Sequence, residues 1–454
     1  MEMTLAELAA ILEVHLPAGL DEECLACGVS TDSRTVEEGS IFIALTGEKF
    51  DGADYAAQAI EKGAVVAVVQ REVPELGNRQ LVVPDTLAAL GRIAAWWRRR
   101  MDVTVIAVTG SAGKTTTKEL IAQICSQFEP TVATVATENN EIGVPQTLLR
   151  LTEPDRFCVV EFGMRGRGQI RQLAEIARPD IGVITVIGEA HIGILGSREA
   201  IAESKAEMLP LLPEDGVAVL PADDFFFPLL KGMCGCKVVS FGSAAEAEVR
   251  LAHVAHETLA GSTIDIAMGE EQVQLTVPLP GRHNVFNALA AAGVGHALGF
   301  TASQVKSGIE SYGGLKMRGE ILAGPYGSTI VNDAYNANPT SMAAVLEMLA
   351  PLPGRKVVLF ADMLELGEGA DAAHRKVGEE VAEAGVELLV TVGELAARAA
   401  DAAGERGVEV RVTNTPEEAA EFLHTKLREG DTVIVKGSRL MQLERAVKGL
   451  IDAE

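Results

Sequence analysis

The sequence predicts an α/β protein of three domains built on parallel sheets, from three observations. The chain has 454 residues, too many for one hydrophobic core and enough for two to four domains of ordinary size. Short β-branched apolar runs alternate with helical stretches over most of its length, the rhythm of consecutive βαβ units. Hydrophobic residues reach 48 % but aromatics only 4 %, so the interior must be mostly Ala, Val, Leu and Ile, which suits helices on parallel strands, and the 45 glycines serve strand-to-helix turns.

The opening segment MEMTLAELAAILEVHL reads as a short acidic amphipathic helix, unlike a basic signal peptide. Within residues 1–84, IFIAL and AVVAVV read as strands flanking one helical segment. A break follows at Pro84-Asp85, where Asp85 is placed to cap the helix TLAALGRIAAWWRRR, whose basic end suits its C-terminus. From residue 103 the runs VTVIAVTG, FCVVEFG (157–163), IGVITVIG (181–188) and GVAVLP (216–221) read as strands of a mostly parallel sheet. After Gly313-Gly314 come STIVNDA, KVVLFADM (356–363), ELLVTVG (387–393), VEVRV and DTVIVKGS (431–438), a second doubly wound unit. No fixed-period repeat is present.

Composition narrows the function. A formal net charge of −25 argues against a nucleic-acid or anionic-membrane surface, although local basic pockets stay possible. Six scattered cysteines form no disulfide framework, and Cys234-Gly235-Cys236 lacks the second pair that zinc requires, so reduced thiols are expected. No apolar run reaches the ~18 residues of a membrane span. A cytoplasmic monomer is the expectation.

The most informative stretch is VIAVTGSAGKTTTKELIA, residues 105–122. A central strand ends at Gly110, and Leu120, Ile121, Ile124, Cys125 and Phe128 then fall on one helical face. The turn Gly110, Ser111, Ala112, Gly113, Lys114, Thr115, Thr116 therefore sits between a strand end and a helix N-terminus, where free N–H groups and the helix dipole favour an anion. Gly110 and Gly113 allow close approach to phosphate, Lys114 reaches the β- and γ-phosphates, and Thr115 is placed for Mg²⁺. One departure stands out, because the usual phosphate-loop spacing wants Gly where this chain has Val108.

The loop TGSAGKTTTKE resembles that of the Mur ligases, ATP-dependent enzymes that extend the peptide of the bacterial cell-wall precursor. The likeness covers essentially the whole chain: STDSRTVEEGSIFIALTGEKFDG, TENNEIGVPQTLL, VVEFGMRGRGQI, VNDAYNANPTSM, FADMLELGE and VKGSR all match family phrases. NNEIGVP, EFGMRG and DAYNANP are most similar to the branch that adds D-alanyl-D-alanine to UDP-N-acetylmuramoyl-tripeptide, and the Asp-Asn-Pro-Arg motif of the diaminopimelate- or lysine-adding branch is not found. The resemblance implies a small α/β uridine-nucleotide domain (1–84), a central P-loop domain with a doubly wound parallel sheet (85–316) and a C-terminal Rossmann-like domain (317–454). It also implies ATP with two Mg²⁺ ions and an acyl-phosphate intermediate, with ADP and phosphate released.

Site residues follow from the same resemblance, read beside their local setting. Glu161 ends the run FCVV, where sheets of this class bind ligands, and the family places a metal ligand there. His191 follows another strand end and is implied as a second ligand. Lys205 lies on a helix expected from about Arg198 to Leu209, on a stripe with Ile201, Ala202, Met208 and Leu209. Burial would favour its neutral amine, which reacts with CO₂, and the family carries a carbamylated lysine there; periodicity alone also allows a side chain whose ammonium reaches water. Asn284 and Asn287, three residues apart, are implied beside adenine, with helix capping by Asn284 as an alternative. Arg318 resembles an arginine that reaches the γ-phosphate on domain closure, and Asp333 resembles an acid at the nucleotide. Tyr335 stands where some members carry Lys; Tyr335, Asn336 and Asn338 are expected at the nucleotide or dipeptide, although Asn338-Pro339 is also an ordinary turn signal. Lys436 and Arg439 end a strand, and at least one is expected to face phosphate or carboxylate, with a solvated surface cation as the alternative for each. Ser33, Arg34, Lys49 and Asp51 are implied at uridine and diphosphate, and Thr137, Asn139 and Asn140 at the muramoyl portion.

Two alternatives remain open at this point. Another amide ligase of the superfamily, such as a folylpolyglutamate synthetase, would share the chemistry, but its folate-side motifs are not apparent. A GTP-hydrolysing switch would need an Asn-Lys-x-Asp segment, which is absent.

Overall fold

The computed structural model describes residues 1–47 and 50–452. Their strands form four sheets, of two, four, nine and six strands. Two structural differences from the sequence reading come at once. The N-terminal segment is not helical throughout, because Glu2–Thr4 pairs antiparallel with Leu25–Cys27. The helix Leu5–Leu12 starts only after Thr4, which closes a capping box with Glu7.

The four-stranded sheet, all parallel, runs Val29–Ser30, Ile41–Ile43, Val66–Val69, Gln80–Val82. Asp85 Oδ1 caps the following helix, Thr86–Arg100, by accepting from Leu87 and Ala88 amides at 2.8 and 3.0 Å. That helix belongs to two cores. Ala89, Leu90 and Ile93 pack with Met3, Leu5 and Leu8, whereas Ala94 faces the central sheet and Trp97 Nε1 donates to Leu151 O at 2.9 Å. A helix with apolar residues on both faces ties neighbouring units together, and the break at Pro84 does not separate them in space.

In the nine-stranded sheet the parallel strands Lys237–Gly242, Val217–Pro221, Ile181–Ile184, Thr104–Thr109, Phe157–Glu161 and Thr131–Ala133 lie side by side. Ile106 and Val108 face one helical layer and Val105 and Ala107 the other, the period of two expected of a strand buried on both sides. Beyond Lys237–Gly242 the sheet continues as Val249–Thr258, Gly261–Met268 and Glu271–Val277, whose hairpin pairings are antiparallel. This meander was not expected from the sequence. Its polar positions face water on one side, so it lacks the continuous apolar runs of the parallel strands.

The six-stranded sheet is ordered Glu320–Ala323, Thr329–Asp333, Thr432–Lys436, Lys356–Ala361, Leu388–Val392, Glu409–Thr413. Only the first pairing is antiparallel. Helices cover both faces, with Val358 and Phe360 in one core and Val357 and Leu359 in the other. Among the described residues no helix is long and apolar enough to cross a membrane.

Candidate active site

The carboxyl ends of the central and C-terminal sheets border one cleft of about 1170 Å³. Its lining draws on both units: Ser111 to Thr116, Glu161, His191 and Lys205 from one, and Arg318, Asp333, Tyr335 and Lys436 from the other. A cleft outside strand carboxyl ends is where doubly wound sheets bind ligands.

The P-loop is shaped by its glycines. Gly110 has φ 153° and Gly113 φ 77°, and a Cβ at either would collide with Thr185 Oγ1 or Asn287 Oδ1 respectively. Thr185 Oγ1 donates to Ala112 O at 2.6 Å and Ser111 N to Val186 O at 2.8 Å, so the loop is fixed from the neighbouring strand end. Gly113 precedes the helix Lys114–Ser126, whose first N–H groups have no side-chain cap. That helix ends before Phe128, which is 39 % exposed and packs on Phe300 rather than extending the buried face. Val108, at the departed glycine position, is buried in the strand, so a shorter turn suffices. Lys114 Nζ donates to Gly110 O at 2.9 Å. Burial holds this lysine below its usual value, the Glu161 carboxylate opposes that, and the Arg318 charge reinforces it.

Glu161 is 1 % exposed. Asn139 Nδ2 donates to its Oε1 at 2.7 Å, whereas its buried Oε2 has no hydrogen-bond partner among the described residues. His191 has φ 66° and begins the short helix Ile192–Leu195. Its Nδ1 lies 3.1 Å from Glu365 Oε2. Burial, followed by the charges of Lys205 and Lys114, pushes the imidazole down to about 4 against the opposing pull of Glu365, so it is neutral at pH 7.

Lys205 sits on the helix Arg198–Ala206, which stops before Leu209 because a separate 3₁₀ turn, Leu209–Leu211, contains Pro210. Ile201, Ala202, Met208 and Leu209 join the core beside it, and Lys205 itself is 1 % exposed. Its ammonium therefore does not reach bulk water. Burial first, then the Lys114 charge, holds its amine well below the usual lysine range.

Asn284 and Asn287 are both buried on the helix Arg282–Ala297. Asn284 is inside the first turn rather than at the cap, which is Gly281, and its Nδ2 donates to Pro280 O at 2.8 Å. Asn287 Nδ2 donates to Asn284 Oδ1 at 3.0 Å, and Thr117 Oγ1 donates to Asn287 Oδ1 at 3.4 Å.

The C-terminal unit is docked on the P-loop. Arg318 Nη2 donates to Thr115 Oγ1 at 3.2 Å, and its guanidinium stacks on Tyr335. The Tyr335 hydroxyl meets Thr137 Oγ1. Asn338, in extended conformation, caps the helix Pro339–Leu349, a local role the sequence reading did not give it, and its Nδ2 also donates to Ser111 O at 3.4 Å. Glu189 N donates to Thr340 Oγ1 at 3.2 Å. Asp333 is ion-paired with Lys436, whose Nζ also donates to Asn336 O at 3.1 Å. Lys436 thus faces a carboxylate of its own chain, and Arg439 is a half-exposed surface cation paired with Glu444.

Asn140 is turned to local structure, with Oδ1 accepting from Ile142 and Gly143 amides. The first-domain candidates lie away from the cleft. Ser33 Oγ donates to Gln58 Oε1 at 2.9 Å, Arg34 pairs with Asp32, and Asp51 pairs with Arg71, while Lys49 lies outside the described residues. The sequence reading passed over Thr185, Lys118 and Glu365. Thr185 directly follows the strand Ile181–Ile184, inside a stretch whose sequence shows only a strand, while Lys118 and Glu365 fall within the family phrases TGSAGKTTTKE and FADMLELGE but their roles depend on contacts that exist only in the folded chain.

Family models described as Mur ligase family, catalytic domain, Mur ligase middle domain, and Mur ligase, glutamate ligase domain match residues 27–98, 108–295 and 317–439. The chain is 37 % identical to a UDP-N-acetylmuramoyl-tripeptide--D-alanyl-D-alanine ligase of Synechocystis, with 99 % of this chain and 98 % of that protein covered. It belongs to the Mur ligase family. Among solved Mur ligases, MurF from Acinetobacter baumannii superposes with a TM-score of 0.91 at 31 % identity, covering 100 % and 99 % of the two chains. MurF ligase from Thermotoga maritima in complex with ADP superposes with a TM-score of 0.83 at 26 % identity, covering 93 % and 96 %. The match runs through both units that border the cleft, so the Mur ligase assignment covers the whole candidate site.

Proposed function

We propose that this chain joins D-alanyl-D-alanine to the terminal carboxylate of UDP-N-acetylmuramoyl-tripeptide at the expense of ATP, in peptidoglycan precursor synthesis. The observation that carries the reading is the meeting of Lys114 and Thr115 with Arg318, from opposite walls, at the helix end built to receive a polyphosphate. The names of the relatives support the choice of substrates.

The chemistry follows from the groups in place. A carboxylate is a poor electrophile, so one of its oxygens first attacks the γ-phosphorus; the bond to the β–γ bridging oxygen breaks and ADP leaves. The dipeptide amine then attacks the acyl carbon, the bond to the phosphate oxygen breaks, phosphate leaves, and the nitrogen gives up a proton. Such transfers depend on positioning and charge neutralisation, which Lys114 and Arg318 supply. Closure of the two walls keeps water from the acyl phosphate.

Mg²⁺ is the metal the donors fit. Among the described residues no three His, Cys, Asp or Glu side chains cluster as a metal cage. Mg²⁺ commonly takes one or two carboxylates and completes its shell with substrate phosphates and water. Thr115 Oγ1 and the unpartnered Glu161 Oε2 would hold one ion. Neutral His191 and a carbamate on Lys205, formed when the neutral amine adds to CO₂ and loses a proton, would hold a second. Bound there, the metal neutralises phosphate charge during transfer. Asn284 and Asn287 are assigned to adenine, Asp333 to the nucleotide, and Tyr335, Asn336, Lys436 and Arg439 to the nucleotide or dipeptide side. Thr137, Asn139 and Asn140 are assigned to the muramoyl portion, and Ser33, Arg34, Lys49 and Asp51 to the uridine diphosphate. The division at 84 and 316, a cytoplasmic location and a monomeric state belong to the same reading.

Phosphate release from ATP and from GTP, each with and without both cell-wall substrates, tests the proposal. ATP-dependent release that requires both substrates is expected. Release driven by a folate and glutamate, or by GTP alone, would sink it.

A further inference from the structure

Lys118 is a buried cation that the proposed reaction does not use. It lies one turn beyond Lys114 on the P-loop helix and is 0 % exposed, among the largest fully buried side chains. Burying an ammonium is costly unless its donors are satisfied. Here three acceptors surround Nζ: Thr134 O at 2.6 Å, Ala136 O at 3.4 Å and Glu119 Oε1 at 2.6 Å. Two of these are main-chain carbonyls just past the edge strand Thr131–Ala133, where secondary structure no longer dictates the path.

That path is unusual and leads into the site. Ala136 has φ 48°, a left-handed conformation that crowds the Cβ of an alanine and that residues other than glycine rarely adopt. Two residues before it, Thr134 Oγ1 accepts from the Glu161 amide at 3.1 Å. Beyond it, Thr137 meets Tyr335, and Asn139 donates to Glu161 Oε1 while its carbonyl accepts from Gly163 N at 2.8 Å. The loop thus touches Glu161 from two sides, and its carboxylate Oε2 is left without a partner among the described residues.

We propose that Lys118 is a positioning residue that pins the 134–139 loop to the P-loop helix, so that Asn139 sets the orientation of Glu161 relative to Thr115. The role rests on the reading of Glu161 as a Mg²⁺ ligand. One helix then carries the residue that holds the metal with the phosphates and the residue that indexes the opposing carboxylate.

Lys118→Met, which keeps the apolar stem and removes the ammonium, and the milder Lys118→Gln test it. In metal-free enzyme, amides of residues 135–143 should exchange hydrogen faster than in the parent, while those of the strand Thr104–Thr109 stay protected. The Mg²⁺ concentration for half-maximal phosphate release, and for binding of a non-hydrolysable ATP analogue, should rise about ten- to a hundredfold, with the KM for D-alanyl-D-alanine unchanged. Adding Ala136→Gly, which removes the conformational cost, should recover part of the loss. Should the Met variant not fold, the Gln variant is read alone. Parent-like exchange and Mg²⁺ dependence in a folded variant would overturn the proposal. Glu161→Gln run alongside separates the two failures: if it too keeps the parent Mg²⁺ dependence, the metal assignment itself falls.

Discussion

The guanidinium of Arg318 stacks on the ring of Tyr335 with Cζ 4.0 Å from the centroid, and from that platform donates to Thr115 across the cleft. A stacked arginine is oriented before substrate arrives, which lowers the cost of placing its charge on a transferring phosphoryl group. Arg318→Lys keeps the charge but loses the planar fork and the stack, so it should fail nearly as badly as Arg318→Ala, each lowering turnover by roughly a thousandfold. Single-turnover phosphoryl transfer checks this, and a Lys variant near parent activity would refute it. Tyr335→Phe retains the stack and should lose far less.

Lys114→Ala should abolish phosphoryl transfer while leaving thermal unfolding at or above the parent value. The side chain donates to Gly110 O, and its removal relieves a desolvated cation. Unchanged turnover would remove Lys114 from the site.

Lys205→Ala should lose activity and regain part of it when small carboxylic acids are added. The vacated stem leaves room for a carboxylate where the carbamate is assigned. Full activity without additive would dismiss the carbamate.

Stability should fall as pH is lowered from about 6.5 towards 4. His191 and His283 are each pushed down to about 4, in both cases chiefly by burial. Between the two values the unfolded chain binds protons that the folded one does not, so unfolding is favoured as pH falls, with a slope of up to about 1.4 kcal/mol per pH unit per histidine. Urea unfolding of the parent and of His283→Gln across pH 4.5 to 7 checks this. The variant should show a shallower dependence, and identical slopes would contradict it.

Asp333→Ala should destabilise the fold as well as weaken nucleotide binding. Lys436 is nearly buried and paired with Asp333, so removing the carboxylate strands a cation, a change that costs about 3–5 kcal/mol in buried pairs. Denaturant titration measures the first effect separately from the second. Asp333→Ala combined with Lys436→Met should recover much of the stability.

The sequence by itself determined what short-range physics encodes. The apolar runs placed the parallel strands, Asp85 marked a helix start, and Gly110 to Thr115 marked a glycine-bearing turn from strand to helix, because strand period, capping and glycine conformation are settled within a few residues. The polar meander from Val249 to Val277 escaped it, since strands with one face in water resemble loops in composition. Only the tertiary structure decided how separated groups meet. Arg318 reaches Thr115 over 203 positions of sequence, Lys436 turned out to be pinned by Asp333, and Lys118 to be buried under a loop. Those outcomes depend on desolvation and partner geometry, which arise when two sheets present their carboxyl ends to the same cleft and which no local pattern of residues records.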